Sequence, residues 1–292
     1  MHRAARAIAG APVAATRWYV RKISKARPFM GQRFSDKFQA DRDGSVMEVR
    51  HETQGQSVDL VFHTPNDVCR YRAETFSTKE PETLEWLDTY GGQGAFYDIG
   101  ANVGLYSIYH AKRFPSPVFS FEPSVLNLAQ LAKNITLNEV ADRIVIVPIP
   151  LTTMNQVAPF RMSSLQEGGA LSSFGAEFGH DGQPLVPLMQ YDMLGLSLDF
   201  MVGSGVLPEP PSIMKIDVDG IEHYVVRGAE KVLSSPSLRS VLIEVDEGFQ
   251  ELALEVTQRL TAAGLVFKEK RHGRIFDTGE FSNTFNQVWV RP

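Results

Sequence analysis

Apolar positions along the chain follow two different regimes, and the change falls near residue 95. Upstream, Ser57-Val-Asp-Leu-Val-Phe-His-Thr64 has the composition of a strand and runs into the turn chemistry of Pro65-Asn66-Asp67. Asp36 to about Phe76 therefore reads as β-rich. Pro81–Tyr90 predicts a helix: proline opens it, acids fill its first turn, and Leu84, Trp86, Leu87 and Tyr90 share much of one face. Gly91-Gly92-Gln93-Gly94 ends it.

From Ala95 onward, short apolar runs alternate with helical periodicity. Strands are expected at 95–99, 118–121, 144–150, 212–218 and 240–245, and helices at 103–113, 124–138, 221–233 and 249–263. Leu265–Lys270 and Asn286–Val290 could close the sheet, the last pairing antiparallel because no long helical pattern connects them. Buried-type strands joined through helices imply an α/β fold, a Rossmann-like doubly wound, mainly parallel sheet of seven strands covered on both faces. Between the third and fourth of these strands, Gln156–Leu194 reads as an inserted hairpin or loop and Leu196–Pro211 as a further loop, an insert of about 156–211 beside the site. The expected divisions are 1–35, a basic terminal segment; 36–94, a β-rich extension with a leading helix; and 95–292, the main domain.

Composition narrows the function. The chain has 292 residues, 43% hydrophobic and 22% charged, the balance of an ordinary globular protein with ample core. Its net charge of −5 disfavours a general nucleic-acid binder, which needs a strongly basic face. The charge is uneven: eight of the 29 basic residues lie in 1–35, which holds no acid, leaving 21 against 34 acidic residues beyond. That leader reads as a solvated basic tail, with contact to an acidic partner or a membrane surface as the sharper alternative. Its Ala-rich stretch is poor in Leu, Ile and Phe and is broken by Gly10 and Pro12, which argues against a secretory signal. Cys69 is alone, so no internal disulfide is available, and no apolar run approaches membrane-spanning length. A cytoplasmic protein is expected.

The sharpest local signal is Asp98-Ile-Gly-Ala-Asn-Val-Gly-Leu-Tyr-Ser107, at a strand-to-helix corner. Gly100 permits a tight turn, Gly104 permits close helix packing, and the amides of the corner, Asn102 among them, could hold a carboxylate. Asp98 could accept from an ammonium or orient the loop. Glu122, in Phe119-Ser-Phe-Glu-Pro123, follows the next strand 22 residues after Gly100, where an acid can accept from a ribose diol. The loop is Gly-x-x-x-Gly rather than Gly-x-Gly-x-x-Gly, which argues against NAD and for a nucleoside ligand without a pyrophosphate. S-adenosyl-L-methionine fits these requirements.

These residues resemble the FkbM family of class I S-adenosylmethionine-dependent methyltransferases. Asp98–Ser107 is similar to its first motif and Phe121-Glu-Pro123 to its second. Lys215-Ile-Asp-Val-Asp-Gly-Ile-Glu222 with Val225-Val-Arg-Gly-Ala229 is similar to a later signature, and Glu74-Thr75-Phe76 and Glu82–Leu87 also look familial. The resemblance spans roughly residues 70–250. It implies the class I methyltransferase fold and methyl transfer, commonly to a hydroxyl oxygen of a sugar, glycan, lipid or polyketide-type acceptor, and so a small-molecule or carbohydrate-like partner and no nucleic acid.

Catalysis is then expected at the carboxyl end of the fourth strand, where Asp217, Asp219, Glu222 and His223 cluster. Asp217 is the first candidate for the base or for orienting the donor, and His223 the second. Asp219 and Glu222 could equally be capping residues. Asp-x-Asp-x-x-Glu could hold Mg²⁺, but the spacing does not demand it and no metal is assigned. Glu244 faces the same edge. Thr152 is the candidate for the adenine edge, although the prolines around it depart from the family pattern, and Gly168–Phe174 resembles a family insert near the cofactor. The rivals are a nicotinamide-dependent Rossmann oxidoreductase and a non-catalytic methyltransferase-fold binding module.

Overall fold

A computed structural model describes residues 44–292, so the basic segment 1–35 and the first residues of the β-rich extension lie outside the described residues. Met47–Pro292 packs as one compact unit. A hairpin of β1 (Val46–Thr53) and β2 (Gln56–His63) comes first, followed by helices α1 (Asp67–Glu74) and α2 (Pro81–Tyr90). The helix α1 falls where the sequence reads as β-rich. Asn66 accepts from the Cys69 amide at 2.8 Å, so the side chain taken for turn chemistry is the N-cap of a helix.

The central sheet runs β11-β12-β10-β9-β3-β4-β5. Its elements are β3 (Ala95–Ile99), β4 (Val118–Phe121), β5 (Ile144–Val147), β9 (Pro211–Ile216), β10 (Ser240–Asp246), β11 (Val266–Arg271) and β12 (Thr284–Val290). The five strands from β10 to β5 pair parallel, and β12 runs antiparallel to both β10 and β11. This is the Rossmann-like, doubly wound sheet of seven strands expected from the sequence. Every residue of β3, β4 and β9 is buried, because helices cover both faces. Tyr97, Ile99, Met214, Ile216, Val241 and Ile243 face one core, while Phe96, Ile213, Leu242 and Val288 face the other.

Helices α3 (Leu105–Arg113) and α4 (Val125–Leu137) belong to the second core, together with β2. The hairpin is tied to α4 by buried amides: Asn134 Oδ1 accepts from His63 N at 2.8 Å, and Asn138 Oδ1 accepts from Val61 N at 2.9 Å. Helix α3 starts two residues later than expected, because Gly104 is in the left-handed conformation (φ +88°) as its N-cap.

The insert is more ordered than a loop. Strands β6 (Gln156–Met162), β7 (Ser173–Phe174) and β8 (Met189–Gly195) form a separate antiparallel sheet in the order β7-β6-β8. Its core of Phe160, Met162, Phe174 and Ala176 closes on Ile221. Helix α5 (Leu198–Gly203) occupies the segment expected to be a further loop.

The helix expected over 221–233 is two helices, α6 (Glu222–Arg227) and α7 (Glu230–Leu233), ahead of α8 (Gln250–Ala262). The break has two causes. Gly228 passes so close to the insert that a Cβ there would sit 2.1 Å from the Thr152 carbonyl oxygen. Asp199 of α5 then caps α7 from outside, accepting from the Lys231 and Val232 amides at 2.9–3.0 Å. Among the described residues no helix is long and apolar enough to cross a membrane. Gly228→Ala is expected to destabilise the fold by about 1–3 kcal/mol through this overlap. Urea unfolding checks it, and an unchanged midpoint would show that the junction yields freely.

Candidate active site

The site begins where β3 and β9 end side by side. The Asp217 amide donates to Ile99 O at 3.0 Å, and Gly100 turns left-handed beside it (φ +87°). A Cβ on Gly100 would lie 1.7 Å from the Asp217 carbonyl oxygen, so only glycine lets the two loops meet. Beyond that contact a cavity of about 530 Å³ opens at the carboxyl ends of the parallel strands, a size suited to a nucleoside-sized ligand.

Four amides of the glycine loop are satisfied within the protein. Gly100 N and Ala101 N donate to Phe121 O at 3.0 and 2.9 Å, Asn102 N donates to Glu122 Oε2 at 2.8 Å, and Gly104 N donates to Ala101 O. The carboxylate-holding role expected of them therefore has no free donor at those four positions. Gly104 is off the cavity altogether: a Cβ there would meet Leu131 at 2.4 Å, so it serves the packing of α3 on α4.

Glu122 lines the cavity although it is only 5% exposed. Besides the Asn102 amide it takes the Ser124 amide at 2.8 Å and Asn127 Nδ2 at 3.4 Å, leaving about one of its four acceptor directions for a ligand. Burial pushes its carboxyl up to about 7, against the pull of those amides. The lining on this side is otherwise apolar, with Ile149, Leu151, Phe160, Phe174 and Ile221.

Residues 163–172 cross the cavity as a strap. Asn127 holds it twice, accepting from Gly168 N at 2.9 Å and donating to Gly169 O at 3.1 Å, and Asn102 Nδ2 donates to the same carbonyl at 2.9 Å. Arg72 of α1 donates from Nε to Gly168 O at 2.8 Å. Asp219 Oδ2 accepts from Leu171 N at 2.7 Å and Ser172 N at 3.3 Å. Burial, then the neighbouring Asp217, raises the Asp219 carboxyl to about 6. Glu222 accepts from the Val218 and Gly220 amides and is pushed by burial to about 7. Both acids are thus occupied in shaping loops, and among the described residues no group of three or more histidine, cysteine or acidic side chains is arranged to hold a metal.

Asp217 is presented differently. Its Oδ2 accepts from Lys215 Nζ at 2.6 Å, while Lys215 itself is 1% exposed and lies over the Tyr106 ring at 5.3 Å. Burial opposes the Lys215 charge, but Asp217, then Asp98 and Glu80, outweigh it and hold the ammonium above its ordinary pKa. Asp98 is buried beneath the loop rather than on the cavity wall. It sits beside Lys215 in strand register, with Oδ2 accepting from Ser107 at 2.5 Å and Oδ1 unpartnered. Burial raises its carboxyl despite Lys215 and Ser107. Glu244 lines the cavity, and burial, then Asp217 and Glu80, push it well above the usual carboxylate range.

The cavity thus gathers Gly100, Asn102, Glu122 and Asp217, and it leaves out Asp98, Gly104, Thr152 and His223. His223 packs against Phe178, Tyr224 and Phe249, and burial drives its imidazole down to about 4, so it does not reach the site as a base. Thr152 is 1% exposed under the insert, and its hydroxyl is engaged by Gln156 at 3.4 Å. The segment after β5 lines the cavity through Ile149, Pro150 and Leu151 instead. Arg72, Lys79, Glu80, Asn127, Asp246 and the rings of Phe276 and Phe281 also line the cavity and carried no site signal in sequence. Arg72 and Glu80 each stand two residues before a familial segment, Glu74-Thr75-Phe76 and Glu82–Leu87, and Asp246 stands two residues after Glu244.

These residues fit an adenosine-bearing cation. An apolar slot adjoins Glu122, the Asn102 Oδ1 atom on the wall is buried without a partner, and seven carboxyl-bearing side chains line the cavity against Arg72 and Lys79.

Comparison with known proteins agrees. The family described as Methyltransferase FkbM domain matches residues 98–267. Among curated proteins none matches the chain. Solved structures similar to it include Aeropyrum pernix fibrillarin in complex with natively bound S-adenosyl-L-methionine (13% identity, 83% of this chain and 82% of that one, TM-score 0.45). A precorrin-6y C5,15-methyltransferase from Geobacter metallireducens follows at 12% identity, 75% and 88% coverage and TM-score 0.41. An rRNA methylase from Streptococcus thermophilus gives 10%, 72% and 94%, and 0.43. The assignment rests on the family match, which spans more than half of the sequence and sets the nicotinamide alternative aside: the chain belongs to the FkbM family and is an S-adenosylmethionine-dependent methyltransferase.

Proposed function

We propose that this cavity serves O-methylation of a hydroxyl on a sugar, glycan, lipid or polyketide-like acceptor, with Glu122 against the donor ribose and Asp217 as proton acceptor. The observation that carries the reading is the state of Asp217. Buried Lys215 fixes one carboxylate oxygen at 2.6 Å, while the residue lines the cavity and its Oδ1 has no hydrogen-bond partner among the described residues. A base so placed has a fixed direction and an open lone pair.

When bound, S-adenosylmethionine supplies an electrophilic methyl group. Gly100 and Asn102 shape the floor beside Glu122, and Ile149, Leu151, Phe160 and Phe174 form a dry slot suited to an adenine ring. The acceptor O–H proton passes to Asp217 as the oxygen takes up the methyl carbon and the carbon–sulfur bond breaks. Holding both partners in line at near-contact distance supplies much of the acceleration.

Elsewhere in the lining, Glu244, Asp246 and Asn286 offer hydrogen-bond acceptors, and Phe276 and Phe281 offer apolar faces, a mixture suited to a hydroxyl-rich ring. The acidic lining supports a neutral acceptor over a phosphodiester, which would be repelled.

Asp217→Asn is expected to slow methyl transfer about 100-fold or more while S-adenosylmethionine still binds. Labelled-methyl transfer to glycan, lipid and RNA fractions checks both parts. Label confined to RNA, or a normal rate in the variant, would contradict the reading.

A further inference from the structure

The charge layout of the cavity leaves one question open that the glycine loop was expected to answer, namely where an anionic group of the donor can sit. S-adenosylmethionine carries two cations, the sulfonium and the α-ammonium, and one anion, the α-carboxylate. The loop amides at 100–102 and 104 are already bonded to Phe121, Glu122 and Ala101. The wall is otherwise rich in carboxyl groups, which suit the two cations and repel the anion. Of the two basic side chains with a permanent charge on that wall, Lys79 is ion-paired with Glu80.

Arg72 is the exception. It lines the cavity from α1, and its Nε is spent on Gly168 O at 2.8 Å, which fixes the plane of the guanidinium. Its two Nη groups have no hydrogen bond or ion pair among the described residues, an unusual state for a half-buried arginine on an acidic wall. Its anchor is also well placed. Gly168 is adjacent to Gly169, whose carbonyl receives Asn102 and Asn127, and those two residues in turn bond Glu122. The free end of Arg72 therefore belongs to the same hydrogen-bonded group as the carboxyl assigned to the ribose.

We propose that Arg72 is the carboxylate clamp of the donor site, its two Nη groups binding the α-carboxylate of S-adenosylmethionine. A guanidinium fork matches a carboxylate in two parallel charge-assisted bonds, and its Nε bond to the strap holds it in place before the ligand arrives. The assignment rests on the methyl-donor reading of the cavity and adds to it a residue from an element outside the matched family region. It also couples donor binding to the strap, since the side chain that would meet the carboxylate is the one that holds Gly168.

The test compares S-adenosylmethionine with decarboxylated S-adenosylmethionine, which lacks only the carboxylate, by calorimetric titration of the full chain and of Arg72→Met. The wild type is expected to bind the decarboxylated compound more weakly. Arg72→Met is expected to lose about tenfold or more in affinity for S-adenosylmethionine. Its affinity for the decarboxylated compound should stay within about twofold of wild type. Equal weakening toward both compounds would mean that Arg72 acts only through the strap, and no weakening toward either would mean that it touches nothing. Either result overturns the proposal while leaving the donor reading intact. If the wild type binds neither compound, the donor reading itself fails and the clamp with it. Arg72→Lys, which keeps the charge but not the fork, carries the same comparison if Arg72→Met does not fold.

Discussion

The buried carboxyl of Glu122 is the interaction on which the glycine-loop wall of the cavity depends. It collects the amide that ends the glycine loop, the amide that starts α4, and the side chain of Asn127. The glycine loop, 20 residues upstream, and the first turn of α4 thus meet on one group that burial has stripped of water. Such a carboxyl is costly to ionise, and its pKa near 7 records that cost. Through Asn127 the same group governs the strap, because Asn127 holds Gly168 and Gly169.

A second constraint is steric. The loops after β3 and β9 can share an edge only because Gly100 has no side chain, and Asp217 and Glu122 both line the cavity that opens beyond it. Beneath it, Lys215 is held between Asp98 and Asp217 in a dry layer under α3. A charge buried there without those partners would be strongly destabilising, so Lys215 requires Asp217 beside it and fixes its carboxylate. The strap, held by Arg72, Asn102, Asn127 and Asp219, adds to the lining, which combines apolar side chains such as Ile149, Leu151, Phe160 and Phe174 with seven carboxyl groups.

Sequence legibility tracked burial and locality. The strands Ala95–Ile99 and Val118–Phe121 and the helix Pro81–Tyr90 were readable to the residue, because two-sided burial leaves unbroken apolar runs and proline marks the helix start. The insert was not, because β6 and β8 alternate between a small core and solvent and β6 is interrupted by Pro159. Helix α1 was hidden because an asparagine N-cap and a turn asparagine look alike. Among the candidate site residues, Gly100, Asn102, Glu122 and Asp217 lie just beyond strand ends and line the cavity, where the fold class opens a crevice. Thr152, Gly104 and His223 had suitable spacing, but packing turned them away: one under the insert, one against Leu131, one into a ring cluster. Arg72 and Glu80 come from upstream elements that reach the cavity only through tertiary packing, which no local pattern reports.

The most direct test of the account is a titration of S-adenosylmethionine against wild-type protein and Glu122→Ala, with cooperative unfolding of both proteins verified. Micromolar-range binding is expected in the wild type, with a loss of about 1–3 kcal/mol in the variant, the cost of removing a charged hydrogen-bond partner. An unchanged dissociation constant would contradict the central role given to this carboxyl.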